Sequence, residues 1–575
     1  MKVLIIGGVA GGATAAARLR RLDESAQIVV IERTGYVSYA NCGLPYYVGG
    51  VIQDRRRLTL QTPESFKSRF NIDVRVRQEA ISIDREAKEV EVRRLDDGSI
   101  YVESYDKLVL SPGARPTIPP VPGVDLPGVF TLRTVEDAFA ISDYIDANRV
   151  QSAIVVGGGF IGLETAENLI GRGVETTVLQ RPAHALKVLD SDMAAYLHGA
   201  MRDGGIDLRT RADLTEISSD SGDSKLTVKY RNADTKDSME PLSADMVVLA
   251  IGVSPDSHLA SDAGLETGMK GSIRTDEHMR TSDPDIFAVG DAVEVVNKVT
   301  GKPALIALAG PANKQGRIAA DNICGIESTY RGSQGSFILK MFDLTVASTG
   351  LNETGAQSAG IDYDSAVISM ANHATYYPGA EQMTLKVVFE NGTGKILGAQ
   401  IAGYSGVDKR IDVLATAVGS GMTAADLTDL DLAYAPPYSS AKDPVNMIGY
   451  VIGNIVSGRV KQTHWDEVTT RISGSGTGGS DFMILDVRTT GEYDKGHFDG
   501  SVNIPLDELR EHLDEIPHGK QLLVYCHSGL RSYIACRILS QNGFDCENVS
   551  GGFGFYQITE LDQRLLREGR GPCGL

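Results

Sequence analysis

Two glycine-rich turns, each set between an apolar strand and a helix, limit what this chain can fold into more than anything else in it. The first follows Val3-Leu4-Ile5-Ile6 as Gly7-Gly8-Val9-Ala10-Gly11-Gly12. The second follows Ala153-Ile154-Val155-Val156 as Gly157-Gly158-Gly159-Phe160-Ile161-Gly162. Such a turn lets backbone amides and a helix start approach a pyrophosphate, because glycines put no side chain into the gap. The second copy has Gly157, Gly159 and Gly162 in the full G-x-G-x-x-G pattern. The first keeps Gly7 and Gly12 but has Val9 in the middle position. Each turn leads through a helix to another apolar strand, Ile28-Val29-Val30-Ile31 or Thr176-Thr177-Val178-Leu179. The pattern predicts an α/β protein with two Rossmann-like dinucleotide-binding domains.

The residues that end those strands bear on the ligands. Glu32, followed by Arg33, suits the ribose hydroxyls of an adenine dinucleotide. Gln180-Arg181 stand at the second strand's end, with Lys187 nearby, so basic groups replace the acid that would favour NADH. That pattern tolerates both NADH and NADPH. The layout predicts FAD in the first unit and nicotinamide in the second, docked beside Phe160 and Ile161. Tyr105 to Ala114 reads as the strand and turn joining the two units, and Thr281 to Ala292 as the return to the first, so the discontinuous first domain is expected over 1–149 and 255–330 and the second over 150–254. In that return Gly290 and Asp291 are candidates for the flavin's ribityl chain, and Asp291 also suits a helix N-cap.

Cys42 lies in Val37-Ser38-Tyr39-Ala40-Asn41-Cys42-Gly43-Leu44-Pro45-Tyr46, and the positions five away are Val37 and Tyr47. It therefore lacks the second cysteine of an internal redox disulfide at that spacing. Two chemistries remain for a thiol beside a flavin: a mixed disulfide with a small thiol, or cycling through a sulfenic acid.

Residues 331–460 are strand-rich and carry no glycine fingerprint. Residues 461–480 read as a linker, with Ser473-Gly474-Ser475-Gly476-Thr477-Gly478-Gly479-Ser480 flexible by composition. A stretch of this kind spans about 20 Å and holds the next domain at millimolar effective concentration. Residues 481–575 read as a separate small α/β domain. There Leu522-Leu523-Val524-Tyr525 runs into Cys526-His527-Ser528-Gly529-Leu530-Arg531-Ser532 and a helix. A cysteine at a strand end, followed by inward amides, makes a thiolate and anion cradle. With Arg531 adding positive charge, Cys526 is expected to have a depressed pKa and to stabilise a persulfide. His527 reads as a loop residue rather than a general base.

Residues 1 to 460 resemble the coenzyme A disulfide reductases of the pyridine nucleotide-disulfide oxidoreductase family, in the Cys42 segment and the first glycine turn. The resemblance implies that Thr14, Arg18, Arg21, Ser38, Asn41 and Lys442 contact coenzyme A. It implies that residues 331–460 form an α+β dimerisation domain and that Tyr434 reaches the partner subunit's active site. The tail resembles a single-domain rhodanese, through Asp486-Val487-Arg488, Gly496-His497 and the C-x-x-G-x-R loop. The whole chain resembles reductase–rhodanese fusions that act on persulfides and polysulfides with NADH. The implied cofactors are FAD, coenzyme A and NADH or NADPH, in a homodimer with shared active sites. Two competing readings stay open. One is a peroxide- or oxygen-reducing flavoenzyme, disfavoured by Ala10, where such enzymes carry a histidine. The other is a non-reductive sulfur carrier.

Composition excludes some partners. A net charge of −19 argues against nucleic acid, and no apolar run reaches the length of a membrane span. Six cysteines without an export signal suggest a cytoplasmic protein with reduced thiols. Of these, Cys324, Cys536 and Cys546 read as packing residues and Cys573 as a tail thiol; no metal-ligand pattern is present.

Overall fold

The computed structural model describes residues 1–219, 225–474 and 481–568. The chain divides into two units, Met1–Ala185 with Gly204–Ser333, and Leu186–Asp203 with Gln334–Leu575.

The first unit holds two parallel five-stranded sheets. In the first sheet the strand order is Ile286–Ala288, Lys107–Leu110, Lys2–Ile6, Gln27–Ile31, Asp73–Arg75. Strand Lys2–Ile6 reads as an unbroken apolar run because both sheet faces are covered. Ala15, Ala16 and Leu19 of helix Ala10–Leu22, with Ala319, Ala320 and Ile323 of helix Ala309–Ile323, cover one face. Val90, Val92 and Tyr101 of a three-stranded antiparallel sheet cover the other. The two helices approach closely: a Cβ on Gly316 would lie 2.3 Å from the Gly11 carbonyl oxygen. The second sheet runs Asp207–Thr210, Glu175–Gln180, Ser152–Val156, Met246–Leu249, Val129–Thr131.

The second unit contains a five-stranded antiparallel sheet ordered Ser336–Met341, Leu344–Gly350, Ile396–Gly403, Gln382–Glu390, Tyr363–Ala371. Its parallel five-stranded sheet runs Lys461–Thr463, Cys546–Val549, Gln521–Tyr525, Phe482–Asp486, Val502–Asn503. Helix Ser191–Asp203, placed by sequence inside the second nucleotide domain, also belongs to this unit.

The expected linker is corrected here. Residues 461–463 form an edge strand of the tail sheet, and Trp465–Gly474 form a helix. Trp465 is buried against Phe498, Tyr525 and Tyr556, and its indole N–H donates to the Gly552 carbonyl at 2.9 Å. The tail domain thus starts about twenty residues earlier than the glycine-rich composition suggested, and the Gly/Ser segment falls inside it. Residues 475–480 themselves lie outside the described residues. Among the described residues no helix is long and apolar enough to cross a membrane.

Candidate active site

Both glycine turns are built by the same device. Gly7 has φ +94°, and a Cβ there would lie 2.0 Å from the Ser111 carbonyl oxygen. A Cβ on Gly12 would lie 1.9 Å from the Gly7 carbonyl oxygen, and one on Gly162 equally close to that of Gly157. These glycines are fixed by the protein's own backbone. The middle position differs. Val9 has φ −101° and Gly159 φ −89°, so neither needs glycine for its backbone. A Cβ on Gly159 would meet no protein atom within 4 Å, which leaves room at the helix start for a phosphate.

The strand ends are tied to the turns. Glu32 accepts from the Gly8 amide at 2.8 Å and from the Thr34 amide and hydroxyl at 2.9 and 2.8 Å. Gln180 takes the same part in the second turn: its side-chain oxygen accepts from the Gly158 amide at 2.8 Å, and its amide donates to the His184 carbonyl at 3.1 Å. A neutral amide therefore holds the turn without an acid. Arg33 lies 3.4 Å from Asp256, and Arg181 3.4 Å from Asp213. The Gly290 amide donates to Gln315 at 2.7 Å, and Asp291 pairs with Arg133 at 2.9 Å. Asp291 sits in a single 3-10 turn, Gly290–Ala292, that has no side-chain cap. The N-cap role is thereby corrected: helix Ala309–Ile323 begins well beyond it.

Cys42 is exposed in a 3-10 turn, Asn41–Gly43, that runs directly into helix Leu44–Val48. Although the residue is exposed, partial loss of water around its sulfur pushes the thiol pKa up, helped by Glu164 and Asp291 and opposed by Arg133. Ser38 holds a left-handed φ of +47° while its amide donates to the Gly8 carbonyl at 2.8 Å, joining the Cys42 segment to the first glycine turn. Strain of this sort concentrates at functional sites. The side-chain oxygen of Asn41 is buried without a hydrogen-bond partner, so an incoming donor would satisfy it. This fits a polar ligand beside Cys42.

The basic candidates on the first helix differ. Arg18 pairs with Asp321 at 2.7 Å, Thr14 donates to Asn313 at 2.7 Å, and Arg21 is exposed. Between them Arg20 is buried and donates to five backbone carbonyls, so it is structural. In the second unit Lys442 is exposed, and Tyr434 shares a 2.8 Å hydrogen bond with the Tyr376 hydroxyl. Tyr376 escaped the sequence reading because it is remote in the chain and carries no motif.

Cys526 is buried at the end of strand Gln521–Tyr525. Its sulfur accepts from the Gly529 amide at 3.1 Å and the Ser532 hydroxyl at 3.4 Å. Arg531 is held by both oxygens of Glu492, at 2.6 and 2.7 Å, and this pairing lowers the Glu492 pKa to about 2. Its charge is therefore shared with a carboxylate, an arrangement the motif alone did not reveal. His527 is exposed and its carbonyl accepts from the Gly554 amide at 2.9 Å, as a loop residue would. Gly552, also missed, has φ +69°, and a Cβ there would lie 2.7 Å from the Cys526 carbonyl oxygen. Cys536 and Cys546 are buried in the tail core, whereas Cys573 lies outside the described residues.

Two nucleotide turns with the Cys42 thiol in the first unit, and a second cradled thiol in a tail domain, have the layout of a nucleotide-dependent oxidoreductase with an added cysteine-bearing domain. Comparison with known proteins agrees. The pyridine nucleotide-disulphide oxidoreductase model matches residues 1–316, its dimerisation domain residues 337–444, and the rhodanese-like domain residues 468–557. A coenzyme A disulfide reductase of Staphylococcus aureus is 35% identical over 450 residues, covering 78% of this chain and 99% of that protein. The structure of reduced Bacillus anthracis CoADR-RHD superposes with TM-score 0.93 at 44% identity, covering 98% of each chain. A NAD-dependent persulfide reductase from A. fulgidus gives TM-score 0.88 at 40% identity, covering 97% of this chain and all of that one. The chain belongs to the pyridine nucleotide-disulphide oxidoreductase family and carries a fused rhodanese-like domain. Membership implies FAD and NAD(P)H as its redox cofactors.

Proposed function

We propose that this protein uses NAD(P)H to reduce persulfide sulfur, with coenzyme A persulfide as the form presented to Cys42 and the rhodanese-like domain as the supplier. The observation that carries this reading is the pairing, in one chain, of a lone thiol beside an orphaned Asn41 acceptor with a second thiol cradled by an amide and a hydroxyl. The similarity to a coenzyme A disulfide reductase and a persulfide reductase supports it.

The Cys526 sulfur, held by the Gly529 amide and the Ser532 hydroxyl, attacks the sulfane sulfur of a polysulfide or persulfide donor; the donor's S–S bond breaks, its remainder leaves as a thiol or shorter polysulfide, and Cys526 becomes a persulfide. It passes the terminal sulfur to the coenzyme A thiol. Cys42 attacks the inner sulfur of coenzyme A persulfide; the S–S bond breaks, hydrosulfide leaves, and a Cys42–coenzyme A mixed disulfide forms. Thiolate exchange favours the leaving group of lower pKa, here hydrosulfide. FAD, when bound, supplies the two electrons from the nicotinamide that cleave this disulfide. Gly7, Gly12, Glu32, Arg33, Gly290 and Asp291 are assigned to FAD; Gly157, Gly159, Phe160, Ile161, Gly162 and Gln180 to the nicotinamide cofactor. Thr14, Arg18, Arg21, Ser38, Asn41 and Lys442 are assigned to coenzyme A. Tyr434, in a homodimer, hydrogen-bonds the leaving sulfur, and coenzyme A disulfide is a further substrate.

The test is Cys526→Ser. Polysulfide reduction should be lost and reduction of added coenzyme A persulfide retained, with a coenzyme A adduct on Cys42 by mass spectrometry. If neither activity falls and Cys42 carries a sulfenic or sulfinic acid instead, the peroxide- or oxygen-reducing reading wins.

A further inference from the structure

Two loops that carry exposed tyrosines in the second unit are tied together from beneath by one buried cation. Arg410 lies in helix Val407–Ser420 and is 2% exposed. Its guanidinium folds back on the start of its own helix, where Nη1 donates to the Gly406 carbonyl at 3.2 Å. Nη2 faces two separate loops. In one it donates to the Asn372 carbonyl at 2.8 Å. In the other it donates to the Tyr438 carbonyl at 3.2 Å, the Ser439 hydroxyl at 3.3 Å and the Asp443 carboxylate at 3.0 Å. The loops also meet directly, since the Ala374 amide donates to the Ser439 carbonyl at 3.0 Å.

Each loop carries one member of the hydroxyl pair. Tyr376 stands four residues after Asn372, and Tyr434 four before Tyr438. Both side chains are exposed, yet their hydroxyls meet at 2.8 Å. The base of each loop is pinned. The Asn372 amide donates to the Glu381 carbonyl at 2.9 Å, and its side-chain oxygen accepts from the Glu381 amide at 3.0 Å. The Tyr438 and Ser439 amides donate to the Ala435 carbonyl at 2.9 and 3.1 Å. An exposed pair of phenols gains little by itself, because water can replace its hydrogen bond. What sets its register lies below, where Arg410 holds both loops at once.

We propose that Arg410 is a positioning residue, joining the Asn372 and Tyr438 loops so that the Tyr376 and Tyr434 hydroxyls are presented as one preset pair. The inference deepens the reading above, resting on Tyr434 as the group that hydrogen-bonds the leaving sulfur. Arg410 is buried and acts through the loops alone. With Tyr376 bonded to it, the Tyr434 oxygen is already in place when the sulfur arrives, and the cost of ordering it is met in advance. Stability does not account for the arrangement, since a buried ion pair adds little over well-packed apolar residues. Nor is the cation fully satisfied: its Nε has no partner among the described residues. Burial works against the Asp443 charge, but the Ser439 hydroxyl, the Val445 amide and Arg410 outweigh it and keep the carboxyl below its ordinary range. The planar fork of an arginine can address several oxygens in fixed directions, which the single nitrogen of a lysine cannot.

The experiment uses the full-length, FAD-loaded protein and two readouts. Brief photo-oxidation joins neighbouring phenols as dityrosine, and mass spectrometry of the digest counts the Tyr376–Tyr434 cross-link with no substrate present. Arg410→Lys keeps the charge opposite Asp443 but not the fork, and should lower that cross-link roughly tenfold. The second readout is turnover of coenzyme A disulfide. Arg410→Lys should lower kcat roughly tenfold with little change in KM, and should add no further loss in a Tyr434→Phe background. An undiminished cross-link in Arg410→Lys overturns the inference, and so does a turnover loss that persists in full beside Tyr434→Phe. Should Arg410→Lys fail to fold, Ser439→Ala, which removes one leg of the clamp, decides by the same criterion with a smaller fall. If the parent does not turn over coenzyme A disulfide, the substrate reading fails while the cross-link still decides the part played by Arg410.

Discussion

The two thiols are served by opposite residue-level solutions. Cys42 is exposed on a turn whose surroundings hold its proton, whereas Cys526 is buried among donors that face its sulfur. What keeps the Cys526 loop in place is a backbone clamp: the Phe553 amide donates to the Cys526 carbonyl at 2.7 Å and the Gly554 amide to that of His527 at 2.9 Å. Gly552 permits this clamp, because its left-handed φ and its closeness to the Cys526 carbonyl both exclude a Cβ. Gly552→Ala should cost about 1–3 kcal/mol of stability. It should also lower the polysulfide reduction proposed to run through Cys526; denaturant unfolding and that assay together check it. Cys526 was legible from its loop motif, but Gly552 was not, since a glycine's role appears only when another strand's carbonyl is brought against it.

At the scale of elements, strand Gln382–Glu390 carries a buried cation that periodicity alone would place as an error. The Lys386 side chain is 2% exposed and meets Asp190 at 3.1 Å, Asp192 at 2.7 Å and Glu353 at 3.1 Å. Burial pulls its pKa down, but the three carboxylates outweigh this and hold the ammonium charged. The group ties helices Ser191–Asp203 and Glu353–Ala359 to the antiparallel sheet. Removing one member of a buried charged cluster leaves the others uncompensated. Lys386→Met should therefore destabilise the protein by roughly 3–5 kcal/mol in denaturant unfolding. The strands and glycine turns of both nucleotide domains were readable because local pattern and fold agree there. The Lys461–Thr463 strand was not: three residues of mixed polarity become a strand only by pairing with Cys546–Val549.

At the scale of the whole second unit, the tail domain is docked on the antiparallel sheet by specific polar contacts. His464 meets Asp364 at 2.8 Å, Gln462 donates to Asp364 at 2.7 Å, and the Val367 amide donates to the Ser550 hydroxyl at 3.2 Å. At the far end Asp562 receives His198 at 2.8 Å and Arg202 at 2.7 Å. Burial, the largest influence, lowers the His464 pKa, yet the Asp364 bond and charge carry it above its ordinary value. A raised histidine pKa contributes stability that is complete below the unfolded value, about 6.5, and is lost as pH rises through the folded one. The thermal midpoint of His464→Gln should therefore fall below that of the parent most strongly near pH 6, with the gap closing toward pH 9. An unchanging gap would mean that His464 is not charged at this contact.

The sequence by itself determined two nucleotide-binding units, a thiol without a partner cysteine beside the first, and a thiol-bearing loop in the tail. Each comes from short-range pattern: glycines where the backbone packs too closely for a Cβ, apolar runs where a strand is covered on both faces, a cysteine at a strand end. Only the tertiary structure decided that Gln180 replaces an acid in holding its turn, that Arg531 is shared with Glu492, and that Glu164 is brought to Tyr46. It also decided that the tail joins through a strand rather than a tether. These depend on pairs of residues up to 118 positions apart, whose meeting is fixed by packing and not by any local preference of the chain.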